Sequence, residues 1–304
     1  MEEYSVCVLM STYNGEKFIQ QQLDSLYKQK EIKLSILVRD DGSTDRTQEI
    51  LEKNKLSGKL DWYTGKNLKP ALSFMDLVYK VKSDFDFYAF CDQDDVWLPD
   101  KLINAVKQLT NNNNSSPALY YGRPRLVDSD LNPISVKKDI FTRSCTFGSA
   151  VINSGCAGCT MVFNKELLRI IKRGKPNYIT MHDAWIHKVC AAFNGKILFD
   201  DDVHMLYRQH GSNSMGVTLS RTALWKSRLK RIMSKECKRS RMVKSIWKCY
   251  SKDLPSANEQ IAFEVCNYRK SIRCKIRLLL DKRIHSDSAT GHLYYKLEVL
   301  LGKF

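Results

Sequence analysis

Along roughly the first 200 positions, short β-branched and aromatic runs alternate with stretches in which apolar residues recur at helical spacing. Residues 4–10 read as a first strand, and Ser11-Thr12-Tyr13-Asn14-Gly15 turns into a helix over 16–28 with Phe18, Ile19, Leu23 and Leu26 on one face. The pattern continues as a strand over 34–38, a helix over 44–54, a strand over 60–63, a helix over 70–81, a strand over 86–91 and a helix over 99–109. This βαβαβαβ order with short links predicts an α/β fold with a doubly wound, mostly parallel, Rossmann-like sheet. After an asparagine-rich loop, 118–122 resumes the sheet, and the small residues of 139–158 predict a loop that shapes a pocket. A strand over 160–163, helices over 165–171 and 180–193, and strands over 196–199 and 203–207 follow. Beyond Ser220 the pattern is helical to the end, with Leu224, Trp225, Leu229 and Ile232, then Ile246, Trp247 and Tyr250, then Ile276, Leu279 and Leu280 forming apolar stripes among Lys and Arg. Two regions are predicted, 1–220 and a basic helical 221–304.

At 304 residues with 43% hydrophobic content, the chain can bury a large α/β core plus an appendage. The net charge of +16 is unevenly placed: 221–304 holds 21 Lys plus Arg against 7 Asp plus Glu, and 1–220 holds 28 against 26. A near-neutral body with a basic tail points to an anionic partner, either nucleic acid or the cytoplasmic leaflet of a membrane. No run approaches the roughly 18–20 apolar residues of a membrane span, and the start at Met1-Glu2-Glu3-Tyr4 lacks a basic or apolar leader, which predicts a cytoplasmic protein. Ten cysteines scattered through predicted elements read as reduced core residues, and Cys156 and Cys159 lack the second pair a zinc site needs.

The chemistry concentrates where strands end. Phe87-Tyr88-Ala89-Phe90-Cys91 runs into Asp92-Gln93-Asp94-Asp95, three carboxylates within four positions. If the strand's alternation carries on, Asp92 and Asp94 share a side and present oxygens to one hard cation, Mg²⁺ or Mn²⁺, that would hold a diphosphate. The bland alternative is a solvated turn capping the next helix. A second strand ends in Arg39-Asp40-Asp41-Gly42-Ser43-Thr44-Asp45. Gly42 permits the turn, Ser43 or Thr44 can cap a helix and Asp45 suits its first turn, whereas Asp40 and Asp41 have no such explanation and are read as ligand carboxylates at a sheet's C-terminal edge.

With Val8-Leu9-Met10-Ser11-Thr12-Tyr13-Asn14, the Asp40 and Asp92 segments and His182-Asp183 in this order, residues 4–215 strongly resemble the family 2 glycosyltransferases of the GT-A fold. The branch they resemble includes bacterial rhamnosyltransferases acting on surface polysaccharides. The resemblance implies a GT-A catalytic domain over 1–220 with a C-terminal helical extension over 221–304. It implies metal-dependent, inverting transfer of a sugar from a nucleoside diphosphate sugar, dTDP-rhamnose or a UDP-hexose, to a hydroxyl of a growing, lipid-linked glycan. By that likeness Asp41 accepts from the base N3–H, Asp40 and Asp92 serve the nucleotide, and Thr12 lines the base pocket or caps a helix. Asp94, Asp92 and His210 hold the metal; Arg208, His210 and Asp95 face the donor diphosphate or sugar; Gly158, Cys159, His182 and Trp185 border the acceptor. Asp183 is the base, since an apolar Ala-Trp-Ile run beside it would desolvate it and raise its pKa; otherwise it only satisfies a helix dipole. His182 orients Asp183 or fills space, and Gly211-Ser212-Asn213-Ser214-Met215-Gly216 closes over the donor. The basic tail, with Trp225 and Trp247, is expected to meet the inner face of the membrane, or else to cap the sheet or form an oligomer contact with its basic face in solvent. Two other readings stand beside this one: a metal-dependent nucleotidyltransferase, for which the first turn lacks a glycine-rich basic loop, and a nucleic-acid-binding protein, for which the tail lacks a motif.

Overall fold

The structure, a computed structural model, describes residues 3–110, 116–135, 144–153, 156–211, 236–286 and 288–304. Each parallel strand in the first half is an apolar run whose alternate side chains enter different cores. In β1 (Ser5–Thr12) Cys7 and Leu9 join one core, and Val6, Val8 and Met10 join the other. β4 (Phe87–Cys91) divides the same way, with Tyr88 and Phe90 opposite Phe87, Ala89 and Cys91. Burial on both faces is why Val6–Met10 and Phe87–Cys91 are unbroken runs of non-polar residues, and it forces helices onto both sides of the sheet.

One face is covered by α1 (Ile19–Leu26), α2 (Thr47–Leu56) and α4 (Lys101–Thr110). The other is covered by α3 (Lys69–Lys80), α5 (Phe147–Ile152), α6 (Lys165–Arg173) and α7 (His182–Ala192). The remaining strands are β2 (Lys33–Asp40), β3 (Asp61–Thr64), β5 (Val96–Trp97), β6 (Ala118–Val127), β7 (Val162–Asn164) and β8 (Lys196–Arg208). Their order is β3-β2-β1-β4-β7-β6-β8-β5, in which β7 and β5 run antiparallel to their neighbours and the rest are parallel. The expected mostly parallel, doubly wound sheet is therefore present, with an antiparallel insertion between β4 and β6.

Several local expectations change. The two strands expected over 196–207 are the single β8, which bulges against β6 near Gly122 and Arg123 and so carries Asp200-Asp201-Asp202 without breaking. α5 lies in the stretch read as loop; Thr146 caps it, accepting from Ser149 N–H while the Ser149 hydroxyl reaches the Thr146 backbone. Helices expected from Glu16, Thr44 and Pro99 begin at Ile19, Thr47 and Lys101. The helical pattern expected over 224–232 and the division near 220 fall outside the described residues.

The C-terminal helices are α8 (Lys238–Tyr250), α9 (Ser256–Asn267), α10 (Ile272–Leu280) and α11 (Ala289–Leu300). Their buried residues, among them Ile246, Tyr250, Val265, Leu278 and Tyr295, belong to the same core as α3, α5, α6 and α7. Tyr250 packs on Trp185 and Phe193, and the Asn258 amide donates to the Ala192 carbonyl at 2.9 Å. Trp247, expected at a membrane interface, instead donates its indole N–H to Glu259 at 2.9 Å and packs near Phe263; Trp225 is outside the described residues.

Candidate active site

The C-terminal edges of β1, β2 and β4 are adjacent, because β1 lies between the other two in parallel register. At the tip of β2 both acids are taken up by the chain. Asp40 is fully buried and accepts from the Thr12 hydroxyl (3.2 Å), Ser43 N–H (2.9 Å), the Gln48 amide (2.9 Å) and the Thr64 hydroxyl (3.2 Å), as well as from the Ser43 hydroxyl. Asp41 is paired with the buried Arg39 guanidinium and accepts from Leu68 N–H (2.8 Å) and Lys69 N–H (2.9 Å), so it sits on the positive end of α3. Gly42, at φ +83°, makes the turn that wraps this loop around Asp40. The structural explanation these two acids lacked in the sequence is thus supplied partly by near neighbours, Arg39, Ser43 and Gln48, and partly by the distant Thr12, Thr64, Leu68 and Lys69. Thr12 caps no helix; it closes β1 onto Asp40. Ser43 serves Asp40 instead of a helix, and Asp45 stands just ahead of α2 and accepts from Thr47 N–H at 3.0 Å.

The tip of β4 is different. The strand stops at Cys91 and a turn at Gln93 and Asp94 ends the alternation, so Asp92 and Asp94 do not continue along one side. Asp92 and Asp95 instead converge with the Cys159 thiol, ligand atoms of all three lying within 4.8 Å of one another. Asp94 turns outward to His210, whose Nε2 is 2.7 Å from its carboxylate. Burial, then the charges of Asp94 and Asp183, push the Asp92 carboxyl up to about 7. Burial and the same crowding push Asp95 well above the ordinary carboxylate range, although Arg208 N–H donates to it at 3.1 Å. Its Oδ2 is buried with no hydrogen-bond partner among the described residues. Gln93 ties this turn to the tip of β1, accepting from Tyr13 N–H at 2.9 Å and donating to the Tyr13 carbonyl at 3.1 Å. A Cβ at Gly15 would lie 2.3 Å from the Gln93 oxygen, which is why a glycine stands there.

Asp183 comes in at the start of α7. Its charge contributes to the shift on Asp92, so the two carboxylates lie near each other. Burial lifts its own pKa to about 6, against backbone N–H donation from Ala184 and Gly158. His182 is buried between Phe74, stacked at 4.0 Å, and Phe90, edge-on at 4.8 Å; burial holds it down at about 3, and neither ring nitrogen has a hydrogen-bond partner among the described residues. It packs behind Asp183 as a neutral ring. Gly158 passes so close that a Cβ there would sit 2.6 Å from the His182 ring and 3.4 Å from the Asp183 side chain.

Three assigned positions move. Arg208, expected at the diphosphate, is buried: its guanidinium donates to the carbonyls of Asp94 and Ser129 and to Gln21 (2.6 Å) and lies over the Phe18 ring, so it anchors the acid turn. Trp185, expected beside the acceptor, is fully buried in the core against the α8 side. Cys159 lies with Asp92 and Asp95, not on an acceptor wall. The Gly211–Gly216 closure falls, from 212 onward, outside the described residues.

Two cations escaped sequence reasoning. Arg39 joins Asp41, Asp76 and the Lys66 carbonyl. Lys101 lies buried over the Trp97 ring, 3.2 Å from its centroid, near Cys91, Cys159 and Asp95, and burial lowers it to about 8. Their only signal is a basic residue inside or directly after an apolar element.

The donor set fits a hard divalent cation. Asp92 and Asp95 bring carboxylate oxygens together, one Asp95 oxygen has no hydrogen-bond partner among the described residues, and Asp94 is engaged with His210. The Cys159 thiol, raised by burial, remains protonated and is not a ligand Mg²⁺ would choose.

A parallel sheet gathering acids at its C-terminal edges beside an inserted antiparallel strand is the architecture of the GT-A glycosyltransferases. Residues 1–349 of TarS from S. aureus, in complex with UDP, superimpose with a TM-score of 0.55 over 98% of this chain and 89% of that one at 16% identity. The Pyrobaculum calidifontis mannosyltransferase PcManGT, in complex with GDP-Man and Mn²⁺, gives 0.51 over 98% and 76% at 17% identity. Residues 7–171 match the model of glycosyl transferase family 2, and the chain belongs to that family. It is 32% identical over 244 residues to the dTDP-rhamnosyl transferase RfbG of Shigella flexneri, covering 71% of this chain and 77% of that protein. It is 30% identical over 169 residues to WfgD of Escherichia coli, a UDP-Glc:alpha-D-GlcNAc-diphosphoundecaprenol beta-1,3-glucosyltransferase, covering 55% and 63%. The protein is a glycosyltransferase with a nucleotide sugar as donor.

Proposed function

We propose that the chain moves a sugar from a nucleoside diphosphate sugar, dTDP-rhamnose foremost and a UDP-hexose next, to a hydroxyl of a growing surface glycan carried on a lipid diphosphate, with inversion. The relatives' names support the donor and the acceptor class. The observation that carries the mechanism is the raised carboxyl of Asp183, at about 6, facing the acid cluster from a separate element. A carboxylate of that basicity takes the acceptor's hydroxyl proton as its oxygen attacks, from the side opposite the departing diphosphate. The Gly158 and Ala184 N–H groups hold the Asp183 oxygens in place, and the neutral His182 ring excludes water behind it.

Asp92 and Asp94 with His210 would hold Mg²⁺ or Mn²⁺, with Asp95 behind them. The bound ion supplies positive charge for the leaving diphosphate. Thr12 and the loop that Asp40 and Asp41 organise would border the base, and Tyr13, 46% exposed at the tip of β1, would stack on it.

A panel of dTDP-, UDP- and GDP-sugars with Mn²⁺ or Mg²⁺, read by thermal shift, identifies the donor, since a ligand of the folded state raises the melting temperature. Asp183→Asn should keep the donor-induced shift and lower transfer by about 10²–10⁴-fold. Asp94→Ala should lose the metal-dependent part of the shift. Equal loss of donor binding in both variants refutes this division of labour.

A further inference from the structure

The last two helices carry an apolar face that the core does not use. α10 and α11 lie antiparallel: the Tyr295 hydroxyl donates to the Leu278 carbonyl at 2.7 Å, and Lys275 Nζ to the Leu300 carbonyl at 3.1 Å. Cys274 and Leu278 of α10, and Tyr295 and Val299 of α11, are buried against the body. At 3.6 residues per turn, Ile272, Ile276 and Leu280 fall on the opposite side of α10. Leu293, Leu297, Leu300 and Leu301 do the same on α11. Exposure agrees with the geometry: Leu280 is 73% exposed, Ile272 and Leu293 68% each. The antiparallel register sets Leu280 beside Leu293 and Ile276 beside Leu297, so the two stripes form one surface. Exposed apolar residues in such a group mark an interaction site.

Charge decides what it meets. Arg273, Lys275, Lys282 and Lys296 lie on these two helices or on the link between them. Three nearby acids are paired, Asp281 with Arg283, the buried Glu298 with Arg239 and Glu264 with Arg277. A second copy docking face to face would press two cationic rims together. An anionic phospholipid surface satisfies both parts, taking the aliphatic side chains into the acyl boundary and the lysines and arginines at its headgroups. No helix among the described residues is long and apolar enough to cross a membrane, so the pair would lie in the surface plane.

We propose that the α10–α11 face docks the protein on an anionic phospholipid leaflet. It rests on the lipid-linked acceptor reading for its purpose, but its test needs no sugar transfer. The full chain is sedimented with vesicles of phosphatidylglycerol and phosphatidylethanolamine, and separately of phosphatidylcholine alone. Binding should favour the anionic vesicles. The double variant Ile276→Glu/Leu297→Glu should bind them at least about tenfold more weakly, with its melting temperature and donor-induced shift unchanged. Leu56→Glu, at a site 81% exposed on α2, should bind like the unaltered protein. Unchanged binding by the double variant, or an equal loss with Leu56→Glu, overturns the proposal. So does a lowered melting temperature in the double variant, which would show the face covered by the chain itself. A vesicle-free dimer abolished by the same two substitutions overturns it in favour of self-association.

Discussion

The tips of β2 and β4 look alike as sequence, each an apolar strand running into clustered aspartates, yet they are physically opposite. Around Asp40 and Asp41 every nearby donor is already directed inward, and a buried arginine balances the charge. Around Asp92, Asp94 and Asp95 the carboxylates crowd one another, burial and that crowding raise Asp92 and Asp95, and a buried Asp95 oxygen has no partner among the described residues. The first arrangement stabilises a loop; the second leaves crowded acids incompletely paired. Acid density alone does not tell a scaffold from a binding site. The supply of donors around it does.

Substitutions at the two tips should therefore fail in different ways. The largest effect on folding is expected from Asp41→Ala, which leaves the buried Arg39 guanidinium with Asp76 as its carboxylate partner and removes the acceptor of Leu68 and Lys69 N–H; it should cost about 1–3 kcal/mol by denaturant unfolding. If Asp41→Ala were as stable as the unaltered protein, the scaffold assignment of β2 would fall. Next in size is the pH dependence of transfer. With Asp183 near 6, kcat/KM should fall about tenfold per pH unit below that value and level off above it. A flat profile from pH 5 to 7 would remove Asp183 as the base.

A smaller effect separates the tips by sign. Asp92 is raised in the fold, so its contribution to stability is present below the unfolded carboxylate pKa and is lost as pH climbs through about 7. In EDTA, Asp92→Asn should therefore melt above the unaltered protein at pH 7.5, by roughly 2–4 °C for each kcal/mol of relieved repulsion, and the gap should close towards pH 4. Scanning calorimetry at both pH values measures it; a variant that melts lower at pH 7.5 contradicts the strained-cluster account. The smallest effect is expected from Cys159→Ser, which keeps a donor beside Asp92 and Asp95 and should shift the melting temperature by only about 1–2 °C.

The alternating cores of β1 and β4 were legible because burial on both faces writes an uninterrupted apolar run. The pairing of acids with strand ends was legible for the same reason. α5 was not, since Phe147-Gly148-Ser149-Ala150-Val151-Ile152 is a short buried helix among small residues, and its signal is the Thr146–Ser149 cap rather than any periodicity. β5 is two residues long and held by pairing with β8, which no local pattern encodes. Arg208 was read as a ligand by the family likeness; its partners, among them Gln21, Asp94 and Ser129, are scattered through the chain. Trp185 was placed beside the acceptor by the family likeness, although two helical steps from Asp183 turn it to the other side. The approach of Asp183 to Asp92 spans 91 positions, and only the family likeness anticipated it.

Gln93 clasps the Tyr13 peptide by both its N–H and its carbonyl, so the turn bearing the acids and the turn at the end of β1 behave as one rigid bracket. A base stacked on Tyr13, as proposed, would bear directly on the turn that carries Asp92 and Asp94. In that reading base entry and cation capture would be linked through a single carboxamide.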